Sequence, residues 1–463
     1  MTPDELIGRS QRSIPRRHSA LGVLLLVCVL SGCSSSDTVT PPGTSSFGGA
    51  GQSSVPAQTS RPGFSQLPST RPGVSLPLGP TPSGPLASQD PSATPPSADT
   101  GGLDAGTRAA LQAILDHARR QNNVPALSVA VLLADGRSWV GVSGDRQLAP
   151  SKAADGQTVF AIASITKTFV TAVIMQLVDE GKISLDDHLD KWLPNFRNAG
   201  TITIRELLGH TSGVYNYFEN PRYNDLVFSR RSHRWTFNEI TGLVRHPYCA
   251  AGGCYHYSNT NFVLLGRVAE LKTGKSIADL IRRRLLDPFG LRHTFFQPDE
   301  PTPSDKAHAY LYNTDWTRSS SVLPMMSAAT VAWSAGAMVS TPSDLAHWAS
   351  LLYTGKVVPQ ALLNQMLTVR KCHDNYGLGT RWVVINGRAA DGHLGSLRGY
   401  EDAMWYFPRE GAAIALLSNQ GAWSPDTTIR HLSTTLFNRI GAPAPQYDPS
   451  RNTHIHDSQT LYC

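Results

Sequence analysis

Apolar residues recur with helical spacing in three separate parts of the chain. Residues 104–120, 164–180 and 425–440 each place apolar side chains three and four positions apart, which brings them onto one face of a helix. Asp104 precedes the first segment, as an N-terminal cap does, and Gly181 follows the second, as glycine does where a helix ends. The pattern therefore predicts a helix in each segment.

A second set of segments has the composition of β-strands. Residues 126–134 and 137–143 flank Asp135-Gly136, a dipeptide typical of tight hairpin turns. Residues 195–320 have helix-like segments and few strand signals. Strands near both ends with a helical insertion predict an α+β fold of two lobes, an antiparallel sheet flanked by helices and a mostly helical lobe. The remaining predicted strands are residues 381–385, 391–396, 402–407 and 412–418.

The N-terminus has the pattern of an export signal. Several arginines precede an apolar run of about 11 residues, which is too short to span a bilayer, where roughly 20 are needed. The run ends in Leu-Ser-Gly-Cys at 30–33, which resembles the bacterial lipobox. Residues 1–32 are therefore predicted to be a lipoprotein signal peptide, with Cys33 as the lipidated residue on the outer face of the cell membrane. An ordinary secretory signal with an incidental cysteine is the alternative.

Composition divides the rest of the chain. Residues 33–101 are rich in Pro, Ser and Gly, which predicts a disordered tether because little apolar surface is available for burial. Residues 102–441 are predicted to form the catalytic domain, and 442–463 a C-terminal tail. The net charge of +6 is spread thinly, with no basic block outside the signal, so nucleic-acid binding has no support.

Four cysteines remain outside the signal and the lipidation position. An even number in an exported protein predicts disulfides, and four cysteines allow three pairings. We favour Cys249–Cys254, which a short Ala-Ala-Gly-Gly loop separates. Cys372–Cys463 would then attach the tail to the domain. Free thiols throughout are the alternative.

Ser-Ile-Thr-Lys at 164–167 places a nucleophile and a base on one side of a predicted helix start. A serine hydroxyl needs a neighbouring base, and a buried lysine can serve because desolvation lowers its pKa. The alternative for Ser164 and Lys167 is a helix cap followed by a surface lysine. The apolar residues on both sides, among them Phe160 and Phe169, argue against it.

Tyr-Ser-Asn at 257–259 supplies polar groups that can serve the same site. Tyr257 can move protons if positive charge nearby lowers its pKa, and the Asn259 amide can bond both Lys167 and a substrate carbonyl. Taken alone, a polar turn ahead of a helix that begins near Val263 is the favoured interpretation. The assignment therefore depends on the other motifs.

His-Leu-Gly at 393–395 lies on a predicted strand. Gly395 allows a substrate backbone to approach the strand edge, and the N–H of Ser396 can serve as a second oxyanion donor beside that of Ser164. A histidine in a strand is usually structural, so His393 is assigned to the site only together with the other two motifs.

The order and wide separation of the three motifs resemble the class C β-lactamase and D-alanyl-D-alanine carboxypeptidase family. The resemblance covers about residues 104–440. It implies a two-lobed fold, an acyl-enzyme on Ser164, Lys167 and Tyr257 as the base pair, and no cofactor. Further matches are the sequences at 206–213, 334–337, 340–345 and 376–379.

Finer features bear on the substrate. Histidine at the first position of the third motif, and an arginine after Tyr-Gly-Leu-Gly, are similar to exported D-alanyl-D-alanine carboxypeptidases. Arg381 would bind the terminal carboxylate of a peptidoglycan peptide, since a guanidinium suits a carboxylate. Leu394 stands where that family has threonine. A β-lactamase or esterase of the same fold is thus an alternative, and an inactive peptide-binding lipoprotein is another.

A histidine-rich sequence near the C-terminus invites a metal interpretation. His454, His456 and Asp457 offer three groups of the type that begins a zinc site. They lie in a polar tail without an obvious further ligand nearby, so no metal is predicted.

Overall fold

The computed structural model describes residues 102–310, 326–369, 375–447 and 461–462. The His454 cluster, Cys372 and Cys463, and the predicted signal and tether lie outside these residues. The helices are α1 (Ala105–Gln121), α2 (Thr166–Asp179), α3 (Ile204–Leu208), α4 (Tyr223–Ser229), α5 (Phe237–Thr241), α6 (Asn259–Thr273), α7 (Ile277–Ile281), α8 (Met326–Ala332), α9 (Pro342–Tyr353), α10 (Gln360–Leu367) and α11 (Asp426–Arg439).

Twelve strands accompany these helices. They are β1 (Ala126–Leu133), β2 (Ser138–Leu148), β3 (Ser151–Ala153), β4 (Phe160–Ala161), β5 (Cys254–Tyr255), β6 (Phe295–Phe296), β7 (Met338–Ser340), β8 (Arg381–Ile385), β9 (Arg388–Leu397), β10 (Tyr400–Phe407), β11 (Ala412–Ser418) and β12 (Leu461–Tyr462).

Seven strands form one antiparallel sheet in the order β3-β2-β1-β11-β10-β9-β8. The N-terminal strand β1 pairs with the C-terminal strand β11, with Ala130 opposite Ala415. Gly136 has φ of 87° in the turn between β1 and β2, a conformation that glycine adopts without steric cost. The α+β prediction, with strands from both ends of the chain in one sheet, is confirmed.

The sheet is buried on both faces because apolar side chains alternate between two cores. On one face, Leu127, Ile414 and Trp405 pack with α1 and α11. On the other, Ala415 and Met404 join the core of the helical lobe. The central strands β1, β10 and β11 are therefore buried on both faces, and β1 and β11 read as nearly continuous apolar runs.

The segment between β4 and β8 builds most of the helical lobe. Helix α2 is buried at its centre, where Phe169 stacks on Trp348 of α9 with ring centroids 4.1 Å apart. A disulfide joins Cys249 and Cys254, the pairing that the sequence favours, beside the loop that carries Gly213. Among the described residues, none of the helices combines the length and apolar character needed to cross a membrane.

Candidate active site

Ser164 lies in the turn that joins β4 to α2. A short 3-10 helix, Ala163–Ile165, connects the two elements, and Ala163 has φ of 44°, in the left-handed region that residues with a side chain rarely adopt. Its neighbours in the turn are buried, whereas Ser164 is partly exposed. Local backbone strain of this kind is concentrated at functional sites. The fold therefore presents one hydroxyl from an otherwise buried turn.

Lys167 is fully buried and faces three oxygen atoms. Its Nζ lies 2.8 Å from Ser164 Oγ, 2.8 Å from Asn259 Oδ1 and 2.7 Å from the carbonyl oxygen of Ala335. Burial, and then the positive charge of Arg381, hold the pKa of Lys167 well below its ordinary value. Lys167 is therefore held close to its neutral, basic form.

These three contacts suit a neutral amine. The two carbonyl oxygens, of Asn259 and Ala335, can only accept, so they take the two N–H groups of a neutral Lys167. Nζ donates to Ser164 Oγ at 2.8 Å in this structure, and because a hydroxyl can also donate, a neutral amine at the same distance can accept the Ser164 proton. Lys167 is thus placed to remove the proton of Ser164 as a general base.

Tyr257 contacts both Lys167 and Ser164, and its pKa is shifted upward. Its ring centroid lies 5.0 Å from Lys167 Nζ. Burial raises the pKa of Tyr257 to about 12, and a hydrogen bond with Ser164 and the charge of Arg381 only partly oppose this. Positive charge from Arg381 does lower this pKa, but the loss of solvation is the larger effect, so the net shift is upward. A neutral Tyr257 can relay a proton to a leaving group, and the prediction that Lys167 acts as the base, with Tyr257 as its partner, stays a prediction.

Asn259 is oriented by a second asparagine. It is the first residue of α6, so this helix begins four residues before Val263. Its backbone N–H and its Nδ2 donate to Asn216 Oδ1 at 3.2 and 3.3 Å, which leaves Oδ1 facing Lys167. The preceding Ser258 N–H donates to His210 Nδ1 at 3.1 Å. Hydrogen bonds to Asn216 and His210 thus hold the Tyr-Ser-Asn motif in place.

His393 has both ring nitrogens bonded to protein groups. Its Nδ1 lies 2.6 Å from the Leu394 carbonyl oxygen and its Nε2 lies 2.9 Å from the Tyr376 hydroxyl. A carbonyl only accepts, so Nδ1 carries the proton and Nε2 accepts from Tyr376. Burial, then the charges of Lys167 and Arg381, hold the pKa of His393 well below its ordinary value. The low pKa favours a neutral His393, and its role in catalysis stays a prediction.

The free part of β9 passes directly beside the Ser164 turn. Strand β8 pairs only with the first half of β9, up to Gly392 opposite Arg381. A Cβ on Gly395 would lie 2.4 Å from the carbonyl oxygen of Ile162, so only glycine fits there. Ser396 follows and is exposed, and its hydroxyl donates to Glu401 at 2.7 Å. The strand edge thus lines the site, and the oxyanion role of the Ser396 amide stays a prediction.

Arg381 lies at the opposite end of this strand edge from Ser396. It is 8% exposed, and its guanidinium lies 5.5 Å from the centroid of the Tyr376 ring. Its charge lowers the pKa of both Lys167 and His393. Leu394 is partly buried and packs against the core that the sheet forms with α1 and α11. The structure therefore places a cation, but no hydroxyl from position 394, beside the catalytic groups.

Some residues of the site lie outside the three sequence motifs. The Ala335 carbonyl, Tyr376 and His210 lie in the further matches at 334–337, 376–379 and 206–213, which the sequence associates with the family without giving them roles. Asn216 has no pattern that marks it. It orients Asn259 only because the chain folds back over 43 residues, as the sequence separation of the two asparagines shows. The described residues contain no cluster of metal-ligating side chains.

The pH dependence of the enzyme tests the role of Lys167. Removing the positive charge in Arg381→Gln lets the pKa of Lys167 rise, because one of the two causes that lower it is lost. The rate increases with pH as Lys167 loses its proton, so the acidic limb of kcat/KM will move to higher pH, by up to about one unit. The substrate is p-nitrophenyl acetate, which has no carboxylate for Arg381 to bind. Arg137→Gln, on the exposed hairpin, is the control, and an unmoved limb would contradict this role.

This arrangement defines a serine hydrolase: a serine hydroxyl is hydrogen-bonded to a buried lysine, and a free strand edge lies beside it. The Beta-lactamase family model matches residues 111–436, and the chain therefore belongs to the beta-lactamase family.

Known proteins extend this assignment. The chain is 28% identical over 332 residues to penicillin-binding protein 4 of Amycolatopsis lactamdurans, covering 66% of this chain and 84% of that protein. It is 28% identical to the solved D-stereospecific amidohydrolase of Streptomyces sp., with a TM-score of 0.62 over 72% of this chain and 99% of that one. D-amino acid amidase of Ochrobactrum anthropi SV3 is 25% identical, with a TM-score of 0.64 over 73% of this chain and 100% of that one.

Proposed function

We propose that the enzyme is a D-alanyl-D-alanine carboxypeptidase that removes the terminal residue from peptidoglycan stem peptides. The main support for this proposal is the position and charge of Arg381. Its guanidinium is 8% exposed, lies over the Tyr376 ring and lowers the pKa of Lys167, so a cation is held beside the proposed catalytic lysine. A terminal carboxylate suits the planar guanidinium and would be held one residue from the scissile bond.

The proposed reaction begins with a peptide lying along the free edge of β9. Lys167 takes the Ser164 proton while Oγ attacks the penultimate carbonyl carbon. The amides of Ser164 and Ser396 stabilise the oxyanion, and the proton held by Lys167 passes through Tyr257 to the nitrogen of the leaving D-alanine, which returns Lys167 to its neutral form. The C–N bond breaks, and the acyl group stays on Ser164 as an ester. Water, deprotonated by Lys167, then hydrolyses this ester.

An amidase acting on D-amino acid amides is a second candidate. Leu394 favours it, because an apolar side chain that packs against the core beside α1 and α11 cannot help to bind a carboxylate. The similar solved structures include a D-stereospecific amidohydrolase and a D-amino acid amidase. Both candidates use the same acylation chemistry and differ in whether the leaving group carries a charge.

A matched pair of peptides separates the two candidates. Diacetyl-L-Lys-D-Ala-D-Ala and its C-terminal amide are compared by kcat/KM with the wild type and Arg381→Gln. We expect faster cleavage of the free acid, and a loss of about tenfold or more in Arg381→Gln for the acid only. A wild type that prefers the amide, together with equal losses for both peptides in the variant, would favour the amidase and refute the carboxypeptidase.

We also propose that the enzyme is exported and held to the cell membrane by lipid on Cys33. The supporting observations are the short apolar run before Cys33 and the segment of low charge after it. In a bacterial host, wild-type protein will enter the detergent phase of Triton X-114, and Cys33→Ser will remain in the aqueous phase. Equal partitioning of the two proteins would contradict the anchor.

A further inference from the structure

Arg398 is a second arginine at the free edge of β9. It lies in the turn between β9 and β10, is exposed, and its guanidinium carbon lies 4.4 Å from the ring centroid of Phe228 on α4. Its charge also lowers the pKa of Tyr223 on the same helix, against the larger opposing effect of burial. Arg398 thus reaches from the sheet to the helical lobe.

The charge of Arg398 is not neutralised by a neighbouring acid. In the part of the chain that the structure describes, no carboxylate forms an ion pair with it, and its guanidinium lies over the Phe228 ring. Asp225, exposed on the same helix, shows no pairing with it. An aromatic face orients a guanidinium while leaving its N–H groups available to an anion.

The residues next to Arg398 show where it lies along the strand edge that passes Ser164. Leu397, the preceding residue, lines a small apolar recess with Gly336 and Ala337. A Cβ on Gly336 would lie 3.5 Å from the backbone carbon of Ala163, so the recess adjoins the nucleophile turn. Arg381 pairs with Gly392 at the other end of this edge. The two arginines therefore lie toward opposite ends of the strand edge that passes the Ser164 turn.

We propose that Arg398 forms an anion-binding subsite that recognises a carboxylate on the acyl part of the substrate. This direction rests on the proposed function, in which the leaving-group carboxylate occupies Arg381. The acyl part then runs along β9 toward Arg398. Arg398 is two positions after Ser396, roughly 7 Å along an extended chain, so the second carboxylate lies a few atoms beyond the scissile carbonyl.

A purely structural role for the same contact makes a different prediction. If Arg398 only held the β9–β10 turn against α4, its loss would affect all substrates alike. If it binds an anion, its loss would affect only substrates that carry the acyl-side carboxylate, and added salt would weaken the preference because the site is exposed.

Two chromogenic esters test the subsite. p-Nitrophenyl hydrogen adipate carries a free carboxylate on its acyl chain, and p-nitrophenyl methyl adipate is its neutral match. For Arg398→Gln we expect kcat/KM to fall about fivefold to tenfold for the acid ester and less than about twofold for the neutral one at low ionic strength. Arg398→Lys, which keeps the charge, will retain part of the preference. Arg137→Gln is the surface control, and thermal melting verifies folding of each variant.

Equal losses for the two esters would overturn the proposal in favour of a structural contact, and unchanged rates for both would overturn it outright. The nitrophenol leaving group has no carboxylate, so the result does not depend on carboxypeptidase activity. If the D-alanyl peptide is not cleaved but the ester preference depends on Arg398, the carboxypeptidase proposal fails and the subsite stands.

Discussion

Ser164→Ala will reduce the hydrolysis of p-nitrophenyl acetate by at least about 10⁴-fold, to near the rate without enzyme. The reason is that Ser164 is the partly exposed hydroxyl in an otherwise buried turn, bonded to Lys167 at 2.8 Å. Steady-state release of nitrophenolate measures the effect. The substitution removes one oxygen atom, so the melting temperature will change little.

Ser164→Cys is the informative companion to this variant. A thiol is intrinsically nucleophilic and occupies nearly the same place, so it should acylate with an activated ester while Ser164→Ala does not. If Ser164→Ala kept more than about a tenth of the wild-type rate, with the fold intact, Ser164 would not be the nucleophile.

Lys167→Met will lower the acylation rate by about 10³-fold or more. Methionine fills much of the same buried volume, but it cannot accept the Ser164 proton or donate to Asn259 and the Ala335 carbonyl. Stopped-flow measurement of the acyl-enzyme burst separates this step from deacylation.

Lys167→Arg separates the two roles that a lysine could have here. Arginine carries a positive charge and cannot act as a base, because its guanidinium stays protonated over the accessible pH range. We expect Lys167→Arg to be as inactive as Lys167→Met. Substantial activity in Lys167→Arg would show that charge, and not proton removal, is what position 167 supplies.

Much of the fold follows from local pattern. The helix after Ser164, the Asp135-Gly136 turn and the four C-terminal strands have periodicity and turn residues that depend on nearby sequence only, and the structure contains all of them. The small paired strands β4 and β7 give no such signal. Each is three residues or shorter, and their pairing joins positions far apart in the chain.

The site shows a similar division. Ser164 and Lys167 are three residues apart, so one turn of chain places them together whatever the rest of the fold does. The pKa of Tyr257 could not be predicted in this way, because the burial that raises it comes from remote segments, including Tyr376 and His210. Asn216 and the Ala335 carbonyl likewise act through contacts that only the folded chain brings together.

A covalent acyl-enzyme at Ser164 is the central intermediate of the proposed mechanism. The enzyme is mixed with p-nitrophenyl acetate, quenched in acid within the first turnovers, and examined by intact mass and peptide mapping. We predict one acetyl group per protein, on the peptide that contains Ser164, and none in Ser164→Ala. Lys306 is the internal alternative, since burial lowers its pKa to about 7 and leaves a nucleophilic amine. Acetylation of Lys306 with Ser164 unmodified, or the absence of any adduct during turnover, would contradict the account.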